Sequence, residues 1–303
     1  MTRVVDRLRP GRTVFSVEFR PPHDDADERL LWNSIRQLEP LDPAYVSVTC
    51  GTGPPRGTDP GSRDRTVRTT ARIARETALL PVAHLTGAGR SRAELRELVD
   101  SYGAEGIENV LAIRGDPPEG PTARWVPRSD GVAHADQLVQ LVRERGAFSV
   151  GVAASPHMHP LSPDVETQTE RLRRKIRCGA EFAVTQLFLQ PDSFLRLRDR
   201  LALRGCHVPL LPGIMPITTP RVLQKYRELA GLEIPSEVAS VLEPLRDDPA
   251  SFRSAGIDLT TRLCERLIAE GVPGLHFYSL NRARAIREMA ENLGLAGGVL
   301  QSA

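Results

Sequence analysis

Eight short apolar runs rich in β-branched residues punctuate the chain, and the stretches between them carry the 3.6-residue period of amphipathic helices. The runs are Thr13–Phe19, Tyr45–Thr49, Leu80–Leu85, Val110–Arg114, Phe148–Ala154, Phe182–Phe188, Val208–Ile214 and Leu275–Leu280. Helical stretches are clear at 27–38, 92–103, 135–146, 170–180 and 193–205, and several end in Gly, as a helix C-terminus prefers. Strict alternation of strand and helix implies parallel strands joined by right-handed crossovers. Eight such units in 303 residues favour a closed (βα)8 TIM barrel over an open, doubly wound sheet. The longest connection, Met215 to Gly274, carries at least two further helical stretches, near 219–230 and 255–270. No linker, repeat or low-complexity tract interrupts the pattern, so residues 1–303 read as a single domain.

Bulk properties narrow the classes of function. Forty basic residues against 38 acidic ones leave a charge of +2, which gives no reason to expect nucleic acid or an anionic membrane surface. No apolar run approaches the roughly 20 residues of a membrane span. The first residues lack the apolar core and cleavage site of a signal peptide, so a cytoplasmic protein is expected. Cys50, Cys178, Cys206 and Cys264 form no CxxC pair and read as reduced thiols. The oligomeric state is not legible, and a monomer is compatible with the sequence.

Polar side chains gather where the apolar runs end, the rim from which barrels of this type draw their catalytic groups. They are Glu18 on the first run, Thr49 on the second and His84 on the third, then Arg114 and Asp116, either side of Gly115, on the fourth. Gln186 lies on the sixth, and Asn281 and Arg282 follow the eighth. Glu18 sits between Val17 and Phe19. A carboxyl group with apolar neighbours and little water tends to keep its proton and can act as a general acid. Asp116 can accept two donors from a heterocycle that displays an amino group beside a ring N–H, and Gln186 offers one donor and one acceptor to the same kind of edge. Each position also admits a plainer reading, as a solvated or ion-paired rim residue.

Other signals fail. Gly51-Thr52-Gly53 follows a strand, but Pro54-Pro55 blocks the helix that a dinucleotide fingerprint requires. His157 and His159 lack the companion ligands of a metal site. Lys175 lies mid-helix and away from a strand end, against a Schiff-base role.

Seven segments in order along the chain resemble the methylenetetrahydrofolate reductase family. They are FSVEFRPP (15–22), YVSVTCG (45–51) with SRDRT (62–66), VAHLT (82–86), NVLAIRGDPP (109–118), RKIRCGAEFAVTQLF (174–188), LPGIMP (211–216) and LHFYSLNRA (275–283). The resemblance implies reduction of 5,10-methylenetetrahydrofolate to 5-methyltetrahydrofolate. It matches Glu18 to the acid that protonates N10, Asp116 and Gln186 to the pterin-binding pair, and Arg282 to a contact with the folate tail. It matches Thr49, His84, Arg114, His159 and Lys175 to positions that hold FAD in ordinary members.

The chain departs from the family where flavin is held. Cys50 stands for the tyrosine of a TYG motif and Ser155 for the aromatic of an AAYP motif. Gln168 and Arg171 replace an acidic residue and an asparagine, and Pro220 replaces a phenylalanine. An insertion, 52–61, lengthens the loop after the second run. Losing a stacking ring and two polar anchors weakens flavin binding, so the resemblance points to a flavin-independent branch that passes hydride directly from NADH, with NADPH not distinguished from it. Two other readings stay open: the same reaction through bound FAD, and a barrel that binds reduced folate without reducing it.

Overall fold

The computed structural model describes residues 2–9, 11–50, 61–117, 123–159, 162–295 and 300–301; residues 52–60 of the lengthened loop lie outside them. Eight parallel strands form the centre: β1 (Arg12–Phe19), β2 (Val46–Val48), β3 (Pro81–Thr86), β4 (Asn109–Ile113), β5 (Ser149–Ala154), β6 (Phe182–Leu187), β7 (Leu210–Ile214) and β8 (Gly274–Tyr278). Neighbours pair in sequence order, β8 pairs with β1, and β1 pairs with β2, so the sheet closes on itself as the expected barrel. A two-residue strand, β9 (Leu300–Gln301), lies antiparallel against the start of β1.

The helices are α1 (Val4–Arg7), α2 (Asp25–Leu38), α3 (Gly61–Glu76), α4 (Arg92–Ala104), α5 (Ala135–Arg145) and α6 (Val165–Arg177). After them come α7 (Pro191–Ala202), α8 (Pro220–Ala230), α9 (Ser236–Leu242), α10 (Pro249–Ala269) and α11 (Arg284–Asn292). Their starts follow local chemistry. Asp24 accepts the Asp27 N–H at the head of α2, and Ser91 and Glu94 cap each other's backbone at the head of α4. Each such cap is worth about 1 kcal/mol. The long connection after β7 holds three helices, the two expected stretches and the short α9, which is set off by Pro235.

Alternation along each strand sorts the side chains. On β1, Phe15, Val17 and Phe19 face outward into the large core beneath the helices, while Val14 joins the interior cluster. That interior cluster, with Tyr45, Val82, Phe182, Val184 and Leu211, fills the lower barrel, and Val4 and Leu8 from the region of α1 pack against it. Ser16 and Glu18 continue the inward face of β1 toward the C-terminal rim, above Val14. On β8, His276 and Tyr278 pair in register with Ser16 and Glu18. The barrel interior therefore changes from apolar at its floor to polar at mid-height and ionisable at its mouth.

Candidate functional site

Glu18 stands at the top of that ladder with its side chain 15% exposed, enough for a ligand in the mouth to reach it. One carboxylate oxygen, Oε2, lies 3.4 Å from Nε2 of His84 and 3.6 Å from Nε2 of His276. Both Nε2 atoms are buried and make no hydrogen bond within the chain, so the Glu18 carboxyl is the polar group each of them meets. The other ring nitrogen of His276, Nδ1, is 2.8 Å from the Ser16 hydroxyl and 3.3 Å from the Tyr45 hydroxyl. Tyr45 stacks on the His276 ring, and Tyr278 meets that ring edge-on.

The expected apolar surroundings of Glu18 are thus corrected. Its sequence neighbours Val17 and Phe19 point to the opposite face of the strand, and the groups that touch the carboxyl come from β3 and β8. Burial pushes the His84 imidazole down to about 4, more strongly than Glu18 pulls it up, so His84 is neutral at physiological pH. Burial holds the Tyr45 and Tyr278 phenols above their ordinary range, so both remain hydrogen donors.

His84, read from sequence as the end of a strand, lies inside β3 and turns into the barrel beside Glu18. His276 was missed: within LHFY it looks like a core residue, and only the register with β1 carries it beneath Glu18.

A second cluster forms on the rim after β4 and β5. Arg114, Arg171 and Lys175 are close enough to lower the hold of His159 on a proton, and Arg114 and Arg171 act on Lys175 in the same way. Burial first, and then Arg114, lowers the Lys175 ammonium to about 8, and Lys175 Nζ donates to the Ala153 carbonyl at 2.7 Å. Burial lowers His159 as well. The Arg114 guanidinium sits 4.7 Å above the Trp125 ring, and its Nε donates to the Gly115 carbonyl at 2.9 Å. Asp116 is exposed next to this group and interacts with Arg114 and His159. The loop after β5 is tied down by Gln168, which donates to the carbonyls of Ser155 (3.0 Å) and His157 (2.8 Å) and accepts from the His159 N–H at 2.7 Å.

The remaining positions flank these clusters. Gln186 on β6 donates to the Leu229 carbonyl at 3.4 Å and accepts from the Leu187 N–H. Arg282 is exposed just past β8, and Thr49 follows β2 with its N–H on the Phe19 carbonyl. Among the described residues, no group of three or more His, Cys, Asp or Glu is placed to hold a metal ion, and no helix is long and apolar enough to cross a membrane.

Known proteins share this fold and part of this sequence. A solved structure from Clostridium thermocellum, described as an uncharacterized protein that binds two copies of 5-methyl-5,6,7,8-tetrahydrofolic acid, superposes with a TM-score of 0.63. It covers 97% of this chain and 96% of its own, and at 15% identity it speaks to the fold alone. The 5,10-methylenetetrahydrofolate reductase of Pectobacterium carotovorum is 35% identical over 286 residues, 94% of this chain and 91% of the relative. An Arabidopsis thaliana protein named methylenetetrahydrofolate reductase (NADH) 1 is 30% identical over 97% of this chain, which spans 51% of the plant protein. With the family model for methylenetetrahydrofolate reductase matching residues 3–294, the chain belongs to the methylenetetrahydrofolate reductase family.

Proposed function

We propose that this protein reduces 5,10-methylenetetrahydrofolate to 5-methyltetrahydrofolate with hydride taken directly from NADH, and that Glu18 is the general acid at N10. The observation that carries the reading is the Glu18 carboxyl group at the barrel mouth, flanked by two buried imidazoles of which His84 is neutral. A neutral imidazole offers contact without a full counter-charge, so Glu18 Oε2 can deliver its proton to the bridging nitrogen. Protonation at N10 opens the methylene bridge to a 5-iminium ion, which accepts the hydride. Asp116 and Gln186 orient the pterin edge. For that role Gln186 turns away from the Leu229 carbonyl, a weak contact at 3.4 Å. Arg282 meets the carboxylates of the folate tail.

The nicotinamide dinucleotide brings the hydride; the chain holds its phosphates. Arg114, Arg171 and Lys175 converge on one stretch of rim, and mutually repelling cations at such a place suit an anionic ligand. Two features of the same rim support direct transfer over a stacked flavin. The loop after β5 begins with Ser155 where a ring would stack, and Gln168 draws that loop against α6 with three hydrogen bonds. Thr49 and His159 border the space that remains.

The test is colour and turnover together. A colourless purified protein that oxidises NADH only when methylenetetrahydrofolate is present is the expected result. A yellow protein that releases flavin on denaturation would replace direct transfer with the FAD route. Folate binding without turnover in either assay would leave a binding barrel.

Affinity for NADH is expected to depend on pH through Lys175. The ammonium is charged below about pH 8 and neutral above it, so its attraction for phosphate is present at neutral pH and lost as pH rises through that value. KM for NADH should climb on the order of tenfold, as for one charge-assisted hydrogen bond, while Lys175→Met should show the raised KM at every pH. A flat wild-type profile between pH 7 and 9.5 would remove Lys175 from the phosphate site.

A further inference from the structure

The β1–β8 ladder stops at the pair Glu18 and Tyr278, immediately below the rim. Past that point the chain after β8 turns sharply, with Leu280 at φ +50 and Asn281 at φ +58. Two consecutive non-glycine residues in the left-handed region are uncommon, and a leucine there is strained. Such strain persists where surrounding contacts over-determine it, and those sites are often functional.

The contacts that hold this turn are specific. The Asn281 side chain accepts the Arg20 N–H at 2.8 Å and donates to the Arg20 carbonyl at 2.9 Å. A side-chain amide thereby supplies the next rung of the ladder, which frees the main chain to turn. Ser279 donates both its N–H (3.2 Å) and its hydroxyl (2.5 Å) to the carbonyl of Glu18 itself, and its hydroxyl accepts the Asn281 N–H at 3.1 Å. Ser34 on α2 donates to the Asn281 carbonyl at 2.7 Å. Asn281 and Ser34 are buried, so little water competes for these bonds. The next residue is Arg282.

We infer that Asn281 is a positioning residue: its amide bridge to Arg20 fixes the backbone that carries Glu18 and the backbone that carries Arg282 relative to each other across the barrel seam. This rests on the reading of Glu18 as the N10 acid and Arg282 as the folate-tail contact. The bridge joins one residue two places past Glu18 to one residue before Arg282, so proton donor and substrate anchor move as a single piece. Releasing it lets the strand ends shift independently while the barrel pairing below stays intact.

Asn281→Gly is the direct test, because glycine relaxes the left-handed turn while removing the bridge. The expected result is a kcat lower by on the order of a hundredfold, as a misplacement of about 1 Å produces, with KM for NADH within twofold of wild type. The thermal midpoint should stay within a few degrees. Asn281→Asp keeps the acceptor for the Arg20 N–H and loses the donor to its carbonyl; its kcat should fall between the two. It decides the matter should the glycine variant not fold. A kcat within twofold of wild type in either variant, or kcat and NADH affinity falling in proportion, would overturn the positioning role. Glu18→Gln run in the same assay separates the two levels. Full turnover in that variant would bring down the acid assignment and the positioning role with it, whereas an inactive Glu18→Gln beside an unimpaired Asn281→Gly would bring down the positioning role alone.

Discussion

Glu18→Gln should reduce kcat by about a thousandfold or more while leaving affinity for reduced folate within a few-fold of wild type. The amide keeps the shape of the carboxyl and its place between His84 and His276, so binding of a pterin above it is little altered. It has no transferable proton. General-acid catalysis contributes roughly 10² to 10⁴ in rate, and here the protonation creates the electrophile, so the upper part of that range applies. Steady-state NADH oxidation gives kcat, and titration with 5-methyltetrahydrofolate gives affinity. Loss of both together would point to a collapsed mouth, and near-normal turnover would take the acid role away from Glu18.

Gly213→Ala should damage the protein more than any other single methyl group added at a strand. A Cβ on Gly213 would lie 2.1 Å from the Thr185 carbonyl oxygen and 2.8 Å from the Tyr278 ring. Neither neighbour can yield cheaply. The Thr185 carbonyl accepts the Tyr278 hydroxyl at 3.0 Å, and the Thr185 hydroxyl accepts the Gly213 N–H at 3.0 Å. The β6–β7 register also slips between Val184 and Leu187, the segment that presents Gln186. The methyl group must push on that irregular segment, and overpacking of this severity costs about 3 kcal/mol or more. For a chain of this size that is a fall of roughly 5 °C or more in Tm, accompanied by weaker folate binding if Gln186 holds the pterin. Gly231→Ala is the control: it has φ +63 but nothing within 4 Å of the added atom, so only the smaller backbone strain is expected. A Gly213→Ala protein with wild-type Tm and folate affinity would refute the argument.

The barrel was legible because its strands are short apolar runs whose boundaries turn signals mark. Observed and expected limits agree within two residues at each end, from β1 at Arg12–Phe19 to β8 at Gly274–Tyr278. The least legible element lay after β7, where α9 spans only seven residues, too short for a helical period to declare itself. The rim was legible for the same reason as the strands: polar residues at the ends of apolar runs stand out. The immediate company of Glu18 was not. Residues adjacent in a strand occupy opposite faces, so the sequence around Glu18 describes the wall behind it. The groups before it arrive through register: the bond between Ser16 and His276 spans 260 positions. Asn281 was visible as a polar residue, but its bridge to Arg20 depends on a left-handed turn that composition does not announce.

The graded lining of the barrel also governs proton supply. Val14, Tyr45, Phe182 and Leu211, with Val4 and Leu8 beneath them, stopper the lower end. Among the described residues this packing closes the floor with apolar groups, so if Glu18 is the acid of the proposed reaction, its proton would return through the same doorway that admits the folate. On that reading, a pterin lying across the doorway would hold back replenishment until product has left, and the proton would be loaded before the next substrate arrives.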